Sequence, residues 1–212
     1  MMMGARTGAW AKSGGDIPSG WVEVEWLQTS GDGAYIDTGL FGESGTRIKV
    51  DSFSAVESSG AEIYLGIFAA QKFIQVYRNG QYFAFGYGNS GYEIYRPSVP
   101  LVFGKSYSIE VFLGDGDQWM TIDGGDKLRP TSALHGTFTT SATFCIGKNY
   151  SFLTYPKIKF GKFEFENSVM RISLVPVRNI LTSDGAMCDI LTGKIFSNAG
   201  TGSFIVGPDK TT

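Results

Sequence analysis

From Trp21 to the end of the chain, apolar residues recur with a period of two, in short runs closed by Gly, Asn or Ser. No feature restricts the fold more, because that period places successive side chains on opposite faces of a strand. The runs "TRIKVDSF", "AEIYLGIF", "KFIQVYR" and "QYFAFGYG" are followed by "SYSIEVFLG", "QWMTIDGG", "ATFCIGKN", "KIKFGKFEFE" and "MRISLVPVRN". "AMCDIL", "KIFSN" and "SFIVG" complete the series, which predicts about a dozen strands or more. No segment carries the helical period for longer than a turn or two. "RNGQ" (78–81) reads as an Asn-Gly turn joining two runs into a hairpin. "WVEVEWL" puts Trp21, Glu23, Glu25 and Leu27 on one face and Val22, Val24 and Trp26 on the other. Pro176 sits inside a run, which predicts an edge strand or a bulge. The expected fold is all-β: two antiparallel sheets face to face in a jelly-roll sandwich.

Composition narrows the class. A chain of 212 residues can bury a core without metal or disulfide staples. Its 29 glycines, 14% aromatic and 18% charged residues suit tight turns between short strands and not a disordered chain. The net charge of −2, with no basic block, gives nucleic-acid binding no electrostatic support. No stretch is long and apolar enough for a membrane-spanning helix, so no membrane insertion is expected. Cys145 and Cys188 lie in strand-like runs, where two buried thiols are the plainer reading and a disulfide the other. Without a Cys/His cluster there is no structural zinc site, and no cofactor is implied.

Residues 1–20, "MMMGARTGAWAKSGGDIPSG", lack any period and differ from the rest. They are expected to form a flexible N-terminal arm before a domain spanning 21–212. A frayed terminus is one reading. The other is an assembly arm, with Arg6 and Trp10 as the residues that dock into a neighbouring subunit, since a lone Trp gains only from a pocket elsewhere. The arm lacks the apolar run of a secretion signal, so the chain is expected to be made in the cytoplasm.

Two stretches resemble a known module. "AYIDTGLFGESGTRIKVDSF" opens with Tyr35, Ile36, Asp37, Thr38 and Gly39, and Leu174 to Arg178 form "LVPVR". The ending matches Asp189, Thr192, Gly193, Asn198, Gly200, Thr201, Gly202, Phe204, Gly207 and Pro208 of a recurring pattern. Over about residues 24 to 209 the chain resembles a concanavalin A-like lectin/glucanase module, laminin-G-like in shape, of gut-bacterial and bacteriophage proteins. The resemblance implies the sandwich; function resides in sites grafted on it. The ending itself reads as a latch. Asp189 and Thr192-Gly193 turn the chain once, and Asn198 to Gly202 make a second turn that calls for positive φ. Phe196, Phe204 and Ile205 are the side chains expected to pin it down.

Glucanases on such a fold place three carboxylates at alternate strand positions, with two of them about 5 Å apart in a retaining enzyme. Here Glu23 with Glu25, and Glu164 with Glu166, begin such rows, but Trp21 and Leu27, or Lys162 and Ser168, end them. Both pairs read as solvated faces of half-buried strands, and no enzyme is expected. His135, the only histidine, has no nucleophile motif nearby and reads as a surface residue. Asp115 and Asp117, with Asp123 and Asp126 following, could attract calcium, but Asp-Gly-Asp equally makes a hairpin turn and the EF-hand spacing is missing. No metal ligand is assigned. "QYFAFGYGNSGYEIYRP" offers the best binding surface. With Phe83 and Phe85 facing the core, Tyr82 points outward, and the following loop presents Asn89 and Tyr92 to a glycan or receptor.

These features together suggest a virion structural protein of a phage, a head decoration or a tail or fibre component, released by lysis. Its expected partners are other virion proteins or copies of itself, and host-surface polysaccharide where it serves attachment. The alternative is a carbohydrate-binding module on a gut-bacterial cell surface.

Overall fold

The computed structural model describes residues 15–57, 63–69, 72–88, 94–95, 97–130, 139–148 and 155–211. Among these there are 17 strands and no helix. In chain order they are β1 (Trp21–Glu23), β2 (Leu27–Thr29), β3 (Ile36–Glu43), β4 (Thr46–Ala55), β5 (Ile63–Ala69) and β6 (Lys72–Asn79). Next come β7 (Tyr82–Gly88), β8 (Ile94–Tyr95), β9 (Tyr107–Gly114), β10 (Asp117–Ile122), β11 (Thr139–Ile146) and β12 (Ile158–Phe160). The last are β13 (Phe163–Glu166), β14 (Arg171–Asn179), β15 (Gly185–Asp189), β16 (Ile195–Ser197) and β17 (Phe204–Val206).

They form two antiparallel sheets, as the period of two requires. The larger, of 11 strands, runs β16-β15-β14-β13-β4-β12-β2-β17, with β9 beside β4, β10 beside β9 and β1 beside β14. The smaller, of six strands, runs β3-β11-β5-β6-β7-β8. Side chains of both sheets meet in one core, whose fully buried members include Phe53, Tyr64, Phe83, Phe144, Phe163 and Phe165. Aromatic contacts cross the interface. The Phe53 and Tyr64 rings are 5.3 Å apart, and Phe144 of β11 lies 5.6 Å from both Phe163 and Phe165 of β13. Such pairs add about 0.5–1.5 kcal/mol each beyond area burial.

The outward face of the large sheet is charged. Lys49 stands in register between Glu110 and Glu164, and Ser173 follows on the far side of Glu164. Glu164 is a correction to the sequence reading: its side chain is only 5% exposed, and the ammonium of Lys162 sits 2.6 Å from its carboxylate. A carboxylate flanked on both sides by strands loses water that an edge position would keep, so a cation beside it offsets the cost. Pro176 is a second correction. It lies within β14, in register with Met187 of β15, where the opposite neighbour changes from β13 to β1. Its carbonyl accepts from the Val24 N–H at 3.0 Å. The missing proline N–H therefore falls at a junction between two partners, which spares the sheet an edge or a bulge.

The tip of the hairpin between β6 and β7 also moves by one residue from expectation. Asn79 pairs with Tyr82, so Gly80 and Gln81 form the loop, and Gly80 takes the first corner at φ 62°. "WVEVEWL" splits into two strands. β1 pairs with β14 and β2 with β12 and β17, so Val24 and Leu27 are both buried and Glu25 is exposed. Residues 15–20, which the sequence assigns to the arm, lie against the sandwich. The Gly15 N–H donates to the Ile190 carbonyl at 2.7 Å, and Ile17 packs beside Val175, Val177 and Cys188. Arg6 and Trp10 lie outside the described residues.

The closing string docks on the opening motif. Asn198 Oδ1 accepts from the Tyr35 N–H at 3.1 Å, across 163 residues of sequence, and the Ala199 N–H donates to the Tyr35 carbonyl at 3.0 Å. Ser30 Oγ donates to the Ser203 carbonyl at 2.9 Å. The first expected turn forms around buried Asp189, whose carboxylate accepts from the Ser173 N–H at 3.0 Å and from Thr192 Oγ1 at 2.6 Å. The second differs in its physics. No residue from Asn198 to Gly202 has positive φ. Gly200 is required by close approach, since a Cβ there would lie 2.8 Å from the Gly33 carbonyl carbon and 2.9 Å from Tyr35 Cδ1. Phe196 is buried and Phe204 packs on the core, but Ile205 points to solvent at 48% exposure, contrary to its expected pinning role.

Cys145 and Cys188 are both buried and free. Burial pushes the Cys145 thiol up to about 12, with Asp37 opposite it in register adding to the rise and Lys148 opposing it. Burial also raises Cys188. A thiol whose pKa lies above the working pH stays protonated and unreactive. Both cysteines are therefore expected to resist a maleimide at pH 8 in the folded chain and to label at once in denaturant; rapid native labelling of either would contradict their burial.

Candidate functional site

The hairpin of β6 and β7 is built from two runs whose inward residues, Val76, Phe83 and Phe85, enter the core. Alternation then points Tyr82, the first residue of β7, away from the core at the tip, where it is 37% exposed. The segment from Pro97 to Lys105 lies alongside. The Phe83 N–H donates to the Val99 carbonyl at 3.2 Å, the Leu101 N–H to the Gln81 carbonyl at 2.8 Å, and Tyr82 bridges Pro100. These bonds hold the segment against the hairpin tip, and Val102 and Phe103 of the segment are exposed. Phe103 is held by the Arg78 guanidinium, 4.8 Å above its ring, and the Val102 N–H donates to the buried Tyr107 hydroxyl at 2.9 Å. Gln81 Nε2 donates to the Tyr82 hydroxyl at 3.0 Å, which orients the phenol ring.

Between the hairpin tip and the adjoining segment runs an open groove of about 680 Å³, lined by Asn79, Gly80, Gln81, Tyr82, Pro97 and Ser98. Its described lining holds amides, hydroxyls and an aromatic face, and among the described residues no carboxylate or ammonium borders it. Such a surface can stack a flat apolar face of a ligand on the phenol ring and exchange hydrogen bonds with neutral polar groups.

Of the residues singled out in sequence, Tyr82 stands in this groove; Asn89, Tyr92 and His135 lie outside the described residues. Val102 and Phe103 were missed. "PLVF" reads as one more apolar run, yet those two residues leave the strand pattern in a turn, so no alternation buries them. One member of each acid pair is engaged by a lysine: Glu23 by Lys210 at 2.7 Å, Glu164 by Lys162 at 2.6 Å. Asp117 pairs with Arg129, and Asp123 accepts from the Ser108 N–H at 2.9 Å while Lys105 stands 3.8 Å away. Among the described residues no three His, Cys, Asp or Glu side chains come together in a group able to hold a metal ion.

The sheets and their shared core define a two-sheet antiparallel jelly-roll sandwich, laminin-G-like in shape. Among solved structures the chain resembles the mouse laminin α1 chain, domains LG4-5, with a TM-score of 0.51 at 11% identity, over 95% of this chain and 80% of that one. It also resembles the native heptameric SAP-like pentraxin from Limulus polyphemus, with a TM-score of 0.47 at 10% identity, over 87% of this chain and 89% of that one. At such identity the likeness to the laminin domains speaks for the fold alone. No family model and no curated protein matches the sequence.

Proposed function

We propose that the chain is a non-catalytic attachment module that holds an uncharged saccharide chain along the groove at Tyr82. The observation that carries this reading is the exposed Tyr82 ring in a groove whose described lining is neutral amide and hydroxyl groups. An aromatic face set among convergent polar groups in a concavity is the usual make-up of a small-ligand site. The engagement of Glu23 and Glu164 by lysines supports binding without hydrolysis.

The setting drawn from the sequence belongs to the same proposal: a phage particle, in which the module is a head, tail or fibre component, partnered by copies of itself or other virion proteins. Mass spectrometry of purified particles tests it. Recovery of the chain in stoichiometric amount supports the setting, and absence from particles together with presence at a bacterial surface favours the carbohydrate-binding module of a cell.

Binding itself is tested by affinity electrophoresis against neutral polysaccharides. Tyr82→Ala is expected to weaken binding by about tenfold, equivalent to about 1.4 kcal/mol, and to change stability by less than about 0.5 kcal/mol because the ring is exposed. Retention of full affinity by both Tyr82→Ala and Gln81→Ala would remove the groove from consideration.

A further inference from the structure

A second concavity lies away from Tyr82, where β1, the turn between β14 and β15, and the closing string converge. It encloses about 460 Å³ and is bounded by Trp21, Asn179, Asp184, Ser197, Ser203 and Phe204, among others. That volume falls within the range of small-ligand sites. Its walls are fixed. Trp21 pairs in register with Asn179, and its indole packs against Val175 and Val177. Asn179 Oδ1 accepts from the Leu181 and Thr182 N–H groups at 2.9 and 3.1 Å, and Thr182 Oγ1 donates to Asp184 Oδ2 at 2.7 Å. The Asn179 N–H donates to the Asp184 carbonyl at 2.9 Å, closing the turn. On the other side, Asn198 spends its whole amide on backbone, accepting from the Tyr35 and Gly200 N–H groups and donating to the Gly202 carbonyl.

This leaves a distinct set of groups for a ligand. Asp184 Oδ1, Asn179 Nδ2 and the hydroxyls of Ser197 and Ser203 make no hydrogen bond to the described residues. One acceptor-only carboxylate oxygen, one amide donor and two hydroxyls that both donate and accept form a mixed array. Beside them stand an indole and a phenyl ring. Paired hydroxyls of a sugar are donors and acceptors at once, and a pyranose also has an apolar C–H face that aromatic rings cover. A trimethylammonium ligand would use the rings and the carboxylate but leave the amide and hydroxyls without partners, which costs affinity.

We infer that this pocket is a second ligand site, and that it takes the terminal unit of a neutral saccharide through the Trp21 ring, Asp184 and Asn179. It does not rest on the reading of the Tyr82 groove. The open groove suits the interior of a chain, and the walled pocket suits its end.

The test is a titration of the full ¹⁵N-labelled chain with glucose, galactose, mannose and N-acetylglucosamine, and with choline as the contrasting cation. The indole N–H signals of Trp21, Trp26 and Trp119 are followed. A saturable shift of the Trp21 signal with at least one sugar, with Trp26 and Trp119 unmoved, is the expected result. Asp184→Asn, which keeps an oxygen for Thr182, and Ser203→Phe, which fills the pocket from an exposed position, are each expected to weaken it by about tenfold or more. The inference is overturned if no sugar moves Trp21, if choline alone does, or if both variants bind like the parent. Tyr82→Ala leaves this titration unchanged, so failure here and failure of the groove reading are separable.

Discussion

Replacing Phe144 by alanine is expected to destabilise the chain by about 3–5 kcal/mol, the range for removing a buried aromatic side chain. The ring is fully buried on β11 of the smaller sheet, and it meets Phe163 and Phe165 of the larger sheet at 5.6 Å each. Its loss removes area burial, two aromatic contacts and a side chain that touches both residues on the facing strand. Because β13 is the short strand that links β4 to β14, the void opens at the middle of the sandwich and not at a collapsible rim. Urea unfolding followed by intrinsic fluorescence measures the effect as a lower midpoint at unchanged slope. A loss under about 1 kcal/mol would mean that the sheets do not pack through this trio.

Gly200→Ala is expected to have the next largest effect, by a different route. A methyl group at that position meets backbone: the Gly33 carbonyl carbon at 2.8 Å, with Tyr35 Cδ1 at 2.9 Å. Neither can swing aside as the end of a flexible side chain would. Relief comes by lifting the 198–202 turn from the Gly31–Tyr35 segment, at an overpacking cost of about 1–3 kcal/mol. The Ala199–Tyr35, Asn198–Tyr35 and Ser30–Ser203 hydrogen bonds are the ones exposed to that movement, each worth about 1 kcal/mol net. Hydrogen exchange at Tyr35 and Ala199 should accelerate before global unfolding. Gly80→Ala is the comparison. There φ is 62° and no heavy atom lies within 4 Å of an added Cβ, so only the left-handed backbone cost of about 1–2 kcal/mol remains. Equal exchange at Tyr35 in Gly200→Ala and the parent would show that the turn tolerates the methyl group in place.

These two glycines show where the sequence was legible and where it was not. The turn at Gly80 was readable, because an Asn-Gly dipeptide between alternating runs encodes a local conformation. Its register slipped by one residue all the same, since the pairing of Asn79 with Tyr82 is settled by the strands and not by the dipeptide. Gly200 was recognised as necessary for the wrong reason. Positive φ is a property of one residue, whereas a carbonyl arriving from position 33 belongs to the fold. The same division explains Ile205, whose outward direction depends on which face of β17 meets the core, and Glu164, whose burial depends on strands on both sides of β13.

At the candidate site, Tyr82 was legible as the outward residue beside Phe83 and Phe85 because alternation carries that information. The groove's other wall, Pro97 and Ser98, was not, since those residues lie outside any strand and carry no period. Trp21 and Asp184 were farther still from view: one opens the first strand and the other closes a turn more than half the chain away.

By itself, then, the sequence determined that the described residues form strands and no helix, which side chains of most strands face inward, and where the chain turns. Each of those is set by the period of two and by residues adjacent to one another. Only the tertiary structure decided which strands pair, that Tyr35 and Asn198 hold the two ends of the domain together, and that a groove and a pocket lie where they do. The physical reason is that alternation specifies a face and not a partner: partners are chosen by packing and backbone hydrogen bonding among all the strands at once.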